Sequence, residues 1–308
     1  MGSILHKIYT ILHTKRIFWK KLVGSFVFKY FPDKWALKII YHNVFGRPIN
    51  LKDPKTFNEK LQWLKLYNRN PEYSKMVDKA AAKDYVASII GSEYIIPTIE
   101  VYDSTDSIDF NKLPNQFVLK TTHGGGNVGV VICKEKKSFD TKSAKEMLEK
   151  SINTDTYIIG REWPYKNVKP RIIAESYIED QSGDLRDYKF MCFNGIVKCS
   201  FVCTDRNSKD GVCVTFFDRD WNIMPFERDH SRSCIEITKP PHYETMIQLA
   251  EKLARDIPFV RVDFYDISSR VYFGELTFFP GGGFEKFQPE EWDYKLGEMI
   301  KLPKVYLK

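Results

Sequence analysis

Residues 187–205, DYKFMCFNGIVKCSFVCTD, are two β-branched and aromatic runs hinged on Asn194-Gly195. Asn-Gly between such runs signals a two-residue hairpin, because both turn residues need positive φ. A chain with this feature must contain antiparallel sheet. A second hairpin is expected over 259–283, FVRVDFYDISSRVYFGELTFFPGGG, turning at DISS and ending in glycines. Two more strands flank a glycine-rich loop in FVLKTTHGGGNVGVVICK, residues 117–134. Further strands are expected at 93–103 (edged by Pro97), 171–180 and 211–222, and amphipathic spacing predicts helices over 55–69, 72–90, 140–152, 242–256 and 290–300. The layout lacks the βαβα rhythm of a doubly wound fold, so the expected class is α+β.

Three segments carry candidate chemistry. A hairpin places Asp263 and Glu275 across from each other, and side-by-side carboxylates repel unless a cation lies between them. Oxygen-only ligands suit Mg²⁺, which bridges one or two carboxylates to phosphate oxygens. Arg261 is in phase with Asp263 on its strand and could neutralise a phosphate or a developing oxyanion. A surface salt-bridge set is the alternative, but the apolar neighbours Val262, Phe264 and Leu276 favour a packed sheet with inward charges. The glycine loop can bring backbone N–H groups against phosphate, with Lys120 at its root. By itself it reads equally as a mobile hairpin tip, and it is not a GxxxxGK[ST] loop. In GREWPYKNVKPR, residues 160–171, Trp163 and Tyr165 offer faces for a sugar ring. Arg161, Lys166, Lys169 and Arg171 could hold a glycan carboxylate, a packed loop being the alternative. Asp218-Arg219-Asp220 matches a nucleotide-sugar DxD literally but reads as a turn, and Glu285 and Trp292 read as packing residues.

The chain has 308 residues, enough for two domains, and a formal charge of +7. That is a mild basic excess, which favours anionic partners without the dense basic cladding of a nucleic-acid binder. Six cysteines lack zinc-site spacing and read as free thiols. No secretory signal or spanning apolar stretch is expected, so the expected compartment is the cytoplasm. Residues 4–31 interleave aromatics with Lys7, Lys15, Arg16, Lys20, Lys21 and Lys29, as either a packed helix pair or a basic helix on the inner face of the plasma membrane.

Taken in order, Asp78-Lys79, FVLKTTHGGGNVGV (117–130), AESYI (174–178), Asp187, RVD (261–263) and ELTFFPG (275–281) resemble the ATP-grasp superfamily. DPKTFNEKLQWLKLY (53–67) and GREWPYKNVKPRIIAE (160–175) are similar to its TupA-like branch, found among bacterial polysaccharide and capsule biosynthesis proteins. The resemblance implies two α+β lobes with antiparallel sheets clasping ATP. The segments would be a basic helical N-terminal extension (1–50), an N-terminal lobe (51–110), a glycine-loop lobe (111–180) and a C-terminal lobe with the metal site (181–308). It further implies that Lys79, Lys120 and the amides of Gly125, Gly126, Asn127 and Gly129 hold ATP phosphates. Glu175, Tyr177 and Ile178 would form the adenine hinge, and Asp187 would take the ribose. Asp263 and Glu275 would hold Mg²⁺, with Thr277 where an Asn ligand is usual, which puts a second metal in doubt. Lys189 and Arg261 would be catalytic, and Arg161, Trp163, Tyr165, Lys166, Gly282 and Gly283 would line the substrate side. The implied reaction joins a carboxylate and an amine through an acylphosphate. Implied partners are ATP, a glycan or sugar acceptor (lipid-linked in one version) and an amino acid or other amine, with no nucleic acid. A sugar kinase using the same ATP site and a nucleotide-sugar glycosyltransferase are the rival readings.

Overall fold

The computed structural model describes residues 26–125, 129–180, 185–204, 211–267 and 270–304. The basic stretch up to residue 25, Gly126, Asn127 and the Ser268-Ser269 turn lie outside the described residues. No helix among the described residues is long and apolar enough to cross a membrane.

The first helices are α1 (Asp33–Phe45), α2 (Phe57–Tyr67), α3 (Glu72–Val77) and α4 (Ala81–Ile90). Helix α2 begins with a capping box: Thr56 accepts from the Glu59 N–H, and Glu59 accepts from the Thr56 N–H, so both orphan donors are satisfied. One helix was expected over 72–90; the chain breaks at Asp78 instead, whose backbone is extended. Its carboxylate oxygen Oδ1 takes the Ala80 and Ala81 N–H groups at 2.9 and 3.3 Å, a side-chain cap that starts α4 afresh.

Strands β1 (Thr98–Tyr102), β2 (Phe117–Thr121), β3 (Val130–Cys133) and β4 (Ile172–Ser176) form an antiparallel sheet ordered β1-β4-β2-β3. Helix α5 (Thr141–Ile152) lays Ala144 and Leu148 on it, in a core with Phe117, Leu119, Ile172 and Ala174, and α6 (Thr156–Gly160) follows. The second sheet contains β5 (Asp187–Phe193), β6 (Ile196–Thr204) and β7 (Cys213–Asp218), with β9 (Phe259–Ile267) and β10 (Arg270–Thr277), ordered β10-β9-β5-β6-β7. Asn194 and Gly195 turn β5 into β6 with φ of 49° and 84°, as the dipeptide requires. The short strand β8 (Glu227–Arg228) pairs with β11 (Phe287–Gln288). Helices α7 (Tyr243–Leu253) and α8 (Glu291–Met299) complete the chain.

Every residue of β5 is buried, so both faces of the second sheet are covered. Phe190 and Cys192 face α7, whose Tyr243 ring lies 5.5 Å from that of Phe190. Side chains alternate along a strand, so Asp187, Lys189 and Met191 point the other way, toward the charged site. The cores group the chain differently from the four expected segments. Residues 57–90 share the second sheet's core, while Tyr102, Ile108 and Leu113 share the first. The crossing comes at 95–98, where β1 leaves to pair with β4.

Asp218 accepts N–H groups from Asp220 and Asn222, so the DRD segment is a turn with its first carboxylate spent on the backbone. Trp292 stacks on Phe226 at 4.7 Å, and Glu285 pairs with Arg228 at 3.2 Å.

Candidate active site

Strand β9 runs antiparallel to both β5 and β10, and the register sets Lys189, Asp263 and Glu275 in one row. Met191, Arg261 and Thr277 form the next row on the same face. Lys189 donates to Asp263 Oδ2 at 2.5 Å and to Asp187 Oδ2. Arg261 donates to both Asp263 oxygens at 2.7 Å and to Glu275 Oε1 at 2.6 Å. Thr277 donates to that same Glu275 oxygen at 3.2 Å. Burial would raise the Glu275 carboxyl, but Lys79, Arg261 and Lys189 outweigh it and hold its pKa at about 2. Asp263 is buried more deeply, and burial pushes its carboxyl up despite Arg261 and Lys189.

The first sheet brings lysines to the same place. Glu175 on β4 carries Lys83 on Oε1 at 2.5 Å and Lys120 on Oε2 at 2.6 Å. Burial opposes the charge on Glu175, yet the two lysines keep its carboxyl below the usual range. The break at Asp78 turns Lys79 toward the loop: its N–H donates to Thr122 O at 2.9 Å, and its ammonium donates to Gly124 O. Arg171 holds the break with a 2.9 Å bond to Asp78 Oδ2. The Lys79 ammonium also lies 3.7 Å from Glu275 Oε2, so it spans from the root of the glycine loop to the acidic row. At that root Gly129 has φ of 72°, and a Cβ there would sit 2.1 Å from Ser151 Oγ. Among the described residues, a Cβ on Gly125 would meet nothing within 4 Å.

Tyr177 and Ile178 are half-buried just past β4, where the Tyr177 hydroxyl donates to Glu179 at 3.0 Å. Arg161 is not gathered with the others. It is 1% exposed, donates to Phe28 O and Phe31 O, and lies 3.5 Å from Asp33, which makes it a clamp on residues 28–33. Lys166 is exposed over the Tyr157 ring, and Trp163 packs beside Tyr73. Tyr165 is half-buried against the second sheet's core, and burial, with the charges of Glu162 and Glu275, raises its hydroxyl far above the usual range. Gly282 and Gly283 form a left-handed turn held by Gln62, which donates to their carbonyls at 3.1 and 2.7 Å.

Lys83 and Glu162 were not anticipated. Lys83 could have been found: it lies one helical turn after Lys79.

The TupA-like ATP-grasp family matches residues 59–301 of the chain, well over half of it. The chain belongs to the TupA-like ATP-grasp family. Solved structures similar to this ATP-grasp protein include a D-alanine–D-alanine ligase from Helicobacter pylori, with 16% identity, a TM-score of 0.44, and coverage of 81% of this chain and 70% of that one. Another is a D-alanine–D-alanine ligase from Bacillus anthracis complexed with ATP, with 14% identity, a TM-score of 0.42, and coverage of 73% and 63%. The chain thus spans 63–70% of the lengths of these ligases. No curated protein sequence matches it.

As an ATP-grasp enzyme its cofactors are ATP and Mg²⁺, and its residues fit them. Among the described residues no three His, Cys, Asp or Glu side chains gather into a closed metal cage. Mg²⁺ rarely needs one, because it takes one or two carboxylates and completes its shell with phosphate oxygens and water. Asp263 and Glu275 could form such a pair, since they face each other beside Lys79. The α+β class with antiparallel sheets expected from the hairpins is the fold this family requires.

Proposed function

We propose that the protein is an ATP-dependent carboxylate–amine ligase working through an acylphosphate. The observation that carries this reading is the Lys79 ammonium, which lies between Gly124 O and Glu275 Oε2. A phosphate chain laid from the glycine loop to the acidic row would pass this lysine.

Asp263 and Glu275 would hold Mg²⁺, which offsets charge between the nucleotide and an incoming carboxylate. Lys120 and Lys79 would neutralise phosphate oxygens, and the amides at Gly125 and Gly129 would close over them. Arg261, tied to Asp263 and Glu275, is aimed where negative charge develops as the acyl group is transferred. Such chemistry rests on positioning and neutralisation, and needs no side-chain nucleophile. The glycine loop would exclude water and so protect the acylphosphate.

We extend the reading to bacterial cell-surface polysaccharide synthesis, with a uronic acid as the carboxylate and an amino acid as the amine. The support is the likeness of residues 53–67 and 160–175 to proteins of that setting. The test is ADP release from MgATP with hydroxylamine as a general amine and a panel of uronic and amino acids. Hydroxamate formed with one of them is the expected result. ADP released with a phosphorylated sugar would replace ligase by kinase, and release of UDP from UDP-sugars would remove both.

A further inference from the structure

We propose that Arg228 binds the carboxylate of the ligase's acyl substrate, an inference that rests on the carboxylate–amine reading above. Arg228 sits on β8 and is 4% exposed. Its Nε and Nη1 are sealed from solvent with no hydrogen-bond acceptor among the described residues, which leaves Nη2 as the edge a ligand can reach. Glu285 Oε2 lies 3.2 Å from Nε, an ion pair without the alignment of a hydrogen bond. The guanidinium carbon lies 4.6 Å from the centre of the Phe201 ring and 5.1 Å from that of Phe216. A ring face attracts the cation but offers its N–H groups no lone pair.

An arginine has five donors, and burying such a cation with its hydrogen bonds unmade is costly. Buried donors are almost always paired, so one left over calls for an explanation. Arg161 and Arg261 show the ordinary outcome. Arg161, equally buried, donates to the carbonyls of Phe28 and Phe31. Arg261 commits Nε and Nη2 to Asp263 and Glu275. A carboxylate ligand would give Arg228 both the acceptor and the opposite charge, in the pairing that guanidinium groups favour.

The sheet register ties Arg228 to the reacting centre. Phe201 pairs with Lys189 across β5 and β6, and Phe216 pairs with Phe201 across β6 and β7. The row of Lys189, Asp263 and Glu275 therefore continues on the same face as Phe201 and Phe216, and Arg228 lies against that apolar end. Arg261 rests on the same Phe201 ring, with its guanidinium carbon 5.9 Å from the centre. Glu285 ties Arg228 to the glycine turn as well: a Cβ on Gly281 would lie 2.4 Å from Glu285 Oε2, so that carboxylate lies directly on the turn. A carboxylate held on Arg228 is thereby placed on the Arg261 side of the row, where the acylphosphate would form.

The test compares wild type, Arg228→Met and Arg228→Lys by thermal shift in saturating MgADP. The probes are acetate, N-acetylglycine, D-glucuronate and D-galacturonate, each beside its primary amide, which keeps the shape and lacks the charge. At least one carboxylate should stabilise the wild type while its amide does not. Arg228→Met keeps bulk against the two rings and should raise the midpoint concentration for that carboxylate by at least about tenfold. Arg228→Lys should recover part of the loss, and the MgADP shift should be kept in both variants. Without any carboxylate, Arg228→Met should melt no more than about 4 °C below the wild type, because a buried cation without hydrogen bonds adds little to the fold. A larger fall would make Arg228 a packing residue and overturn the proposal. So would a carboxylate shift that survives Arg228→Met, an equal shift with the amide, or no shift of the wild type by any probe. The ligase reading is scored separately, by hydroxamate formation in the wild type. Hydroxamate without an Arg228-dependent carboxylate shift sinks the anchor alone, and the shift without hydroxamate sinks the ligase reading alone.

Discussion

Asp263 faces Glu275 across β9 and β10 only because Gly274 is an extra residue in the pairing. Phe264 pairs with Phe273, but Asp263 then pairs with Glu275, so the register slips by one at that glycine. In an unbroken ladder Asp263 would oppose Gly274, and Glu275 would turn to the other face of the sheet. The acidic row is therefore made by a bulge.

The first prediction concerns that row. Asp263→Asn and Glu275→Gln should each lower Mg²⁺-dependent ATP turnover by a factor on the order of 100 or more, as measured by ADP release. Asp263→Asn should also be less stable, because Lys189 and Arg261 lose a buried partner, an effect typically about 3–5 kcal/mol. Turnover at the wild-type level in either variant would remove the metal assignment.

Much of this was legible in the sequence. Asn194-Gly195 demanded its hairpin, and the short DISS link demanded that Asp263 and Glu275 come close. The bulge was not legible, because a one-residue slip leaves no local mark except a glycine in a strand. The break at Asp78 was hidden for a different reason. The apolar spacing continues through 72–90, and the partner that steadies Asp78 is Arg171, far along the chain. Arg161 was misleading because its neighbours Trp163 and Tyr165 suggested a sugar platform, while its own contacts run to the carbonyls of residues 28–31.

Arg161 gives the second prediction. Arg161→Met leaves those carbonyls and Asp33 without their buried cation, so thermal stability should fall by about 3–5 kcal/mol. MgADP affinity in the folded protein should be unchanged by isothermal titration. A specific loss of nucleotide or substrate binding at unchanged stability would return Arg161 to the site.

Lys120 shares Glu175 with Lys83, and this sets the third prediction. Lys120→Ala should weaken MgATP binding by at least about tenfold, because it removes a charged contact to phosphate worth roughly 1.5–3 kcal/mol. Glu175 keeps Lys83 in that variant, so β4 should stay in place and the thermal midpoint should move little. Unchanged nucleotide affinity by titration calorimetry would count against the loop as a phosphate site.

The fourth prediction is a pH dependence. Glu275 has its pKa held at about 2, below its unfolded value, so it stabilises the fold above that unfolded value. The contribution should be lost as pH falls from about 5 toward 2. Asp263 acts with the opposite sign, since burial raises its carboxyl, so the comparison must isolate Glu275. Urea unfolding from pH 7 to 3 should show a steeper acid loss in wild type than in Glu275→Gln. Parallel curves would mean that the lysines and Arg261 do not hold the Glu275 proton affinity down.

The last prediction returns to the bulge. A Cβ on Gly274 would lie 3.1 Å from the Asp263 carbonyl oxygen and 3.3 Å from the Tyr265 ring. Gly274→Ala should therefore push β10 by a few tenths of an ångström at the residue before Glu275. Displacements of about 1 Å at a reacting centre can cost on the order of 100-fold in rate, so a smaller shift should cost on the order of tenfold. Stability should fall by only about 1–2 kcal/mol, since the strand remains paired on both sides of the bulge. Deleting Gly274 is the stronger test. It restores a continuous register with Glu275 still opposite Asp263, so Mg²⁺-dependent turnover should survive. A deletion variant that folds but loses Mg²⁺-dependent ADP release would show that the row needs the bulge itself, and not only the facing of Asp263 and Glu275.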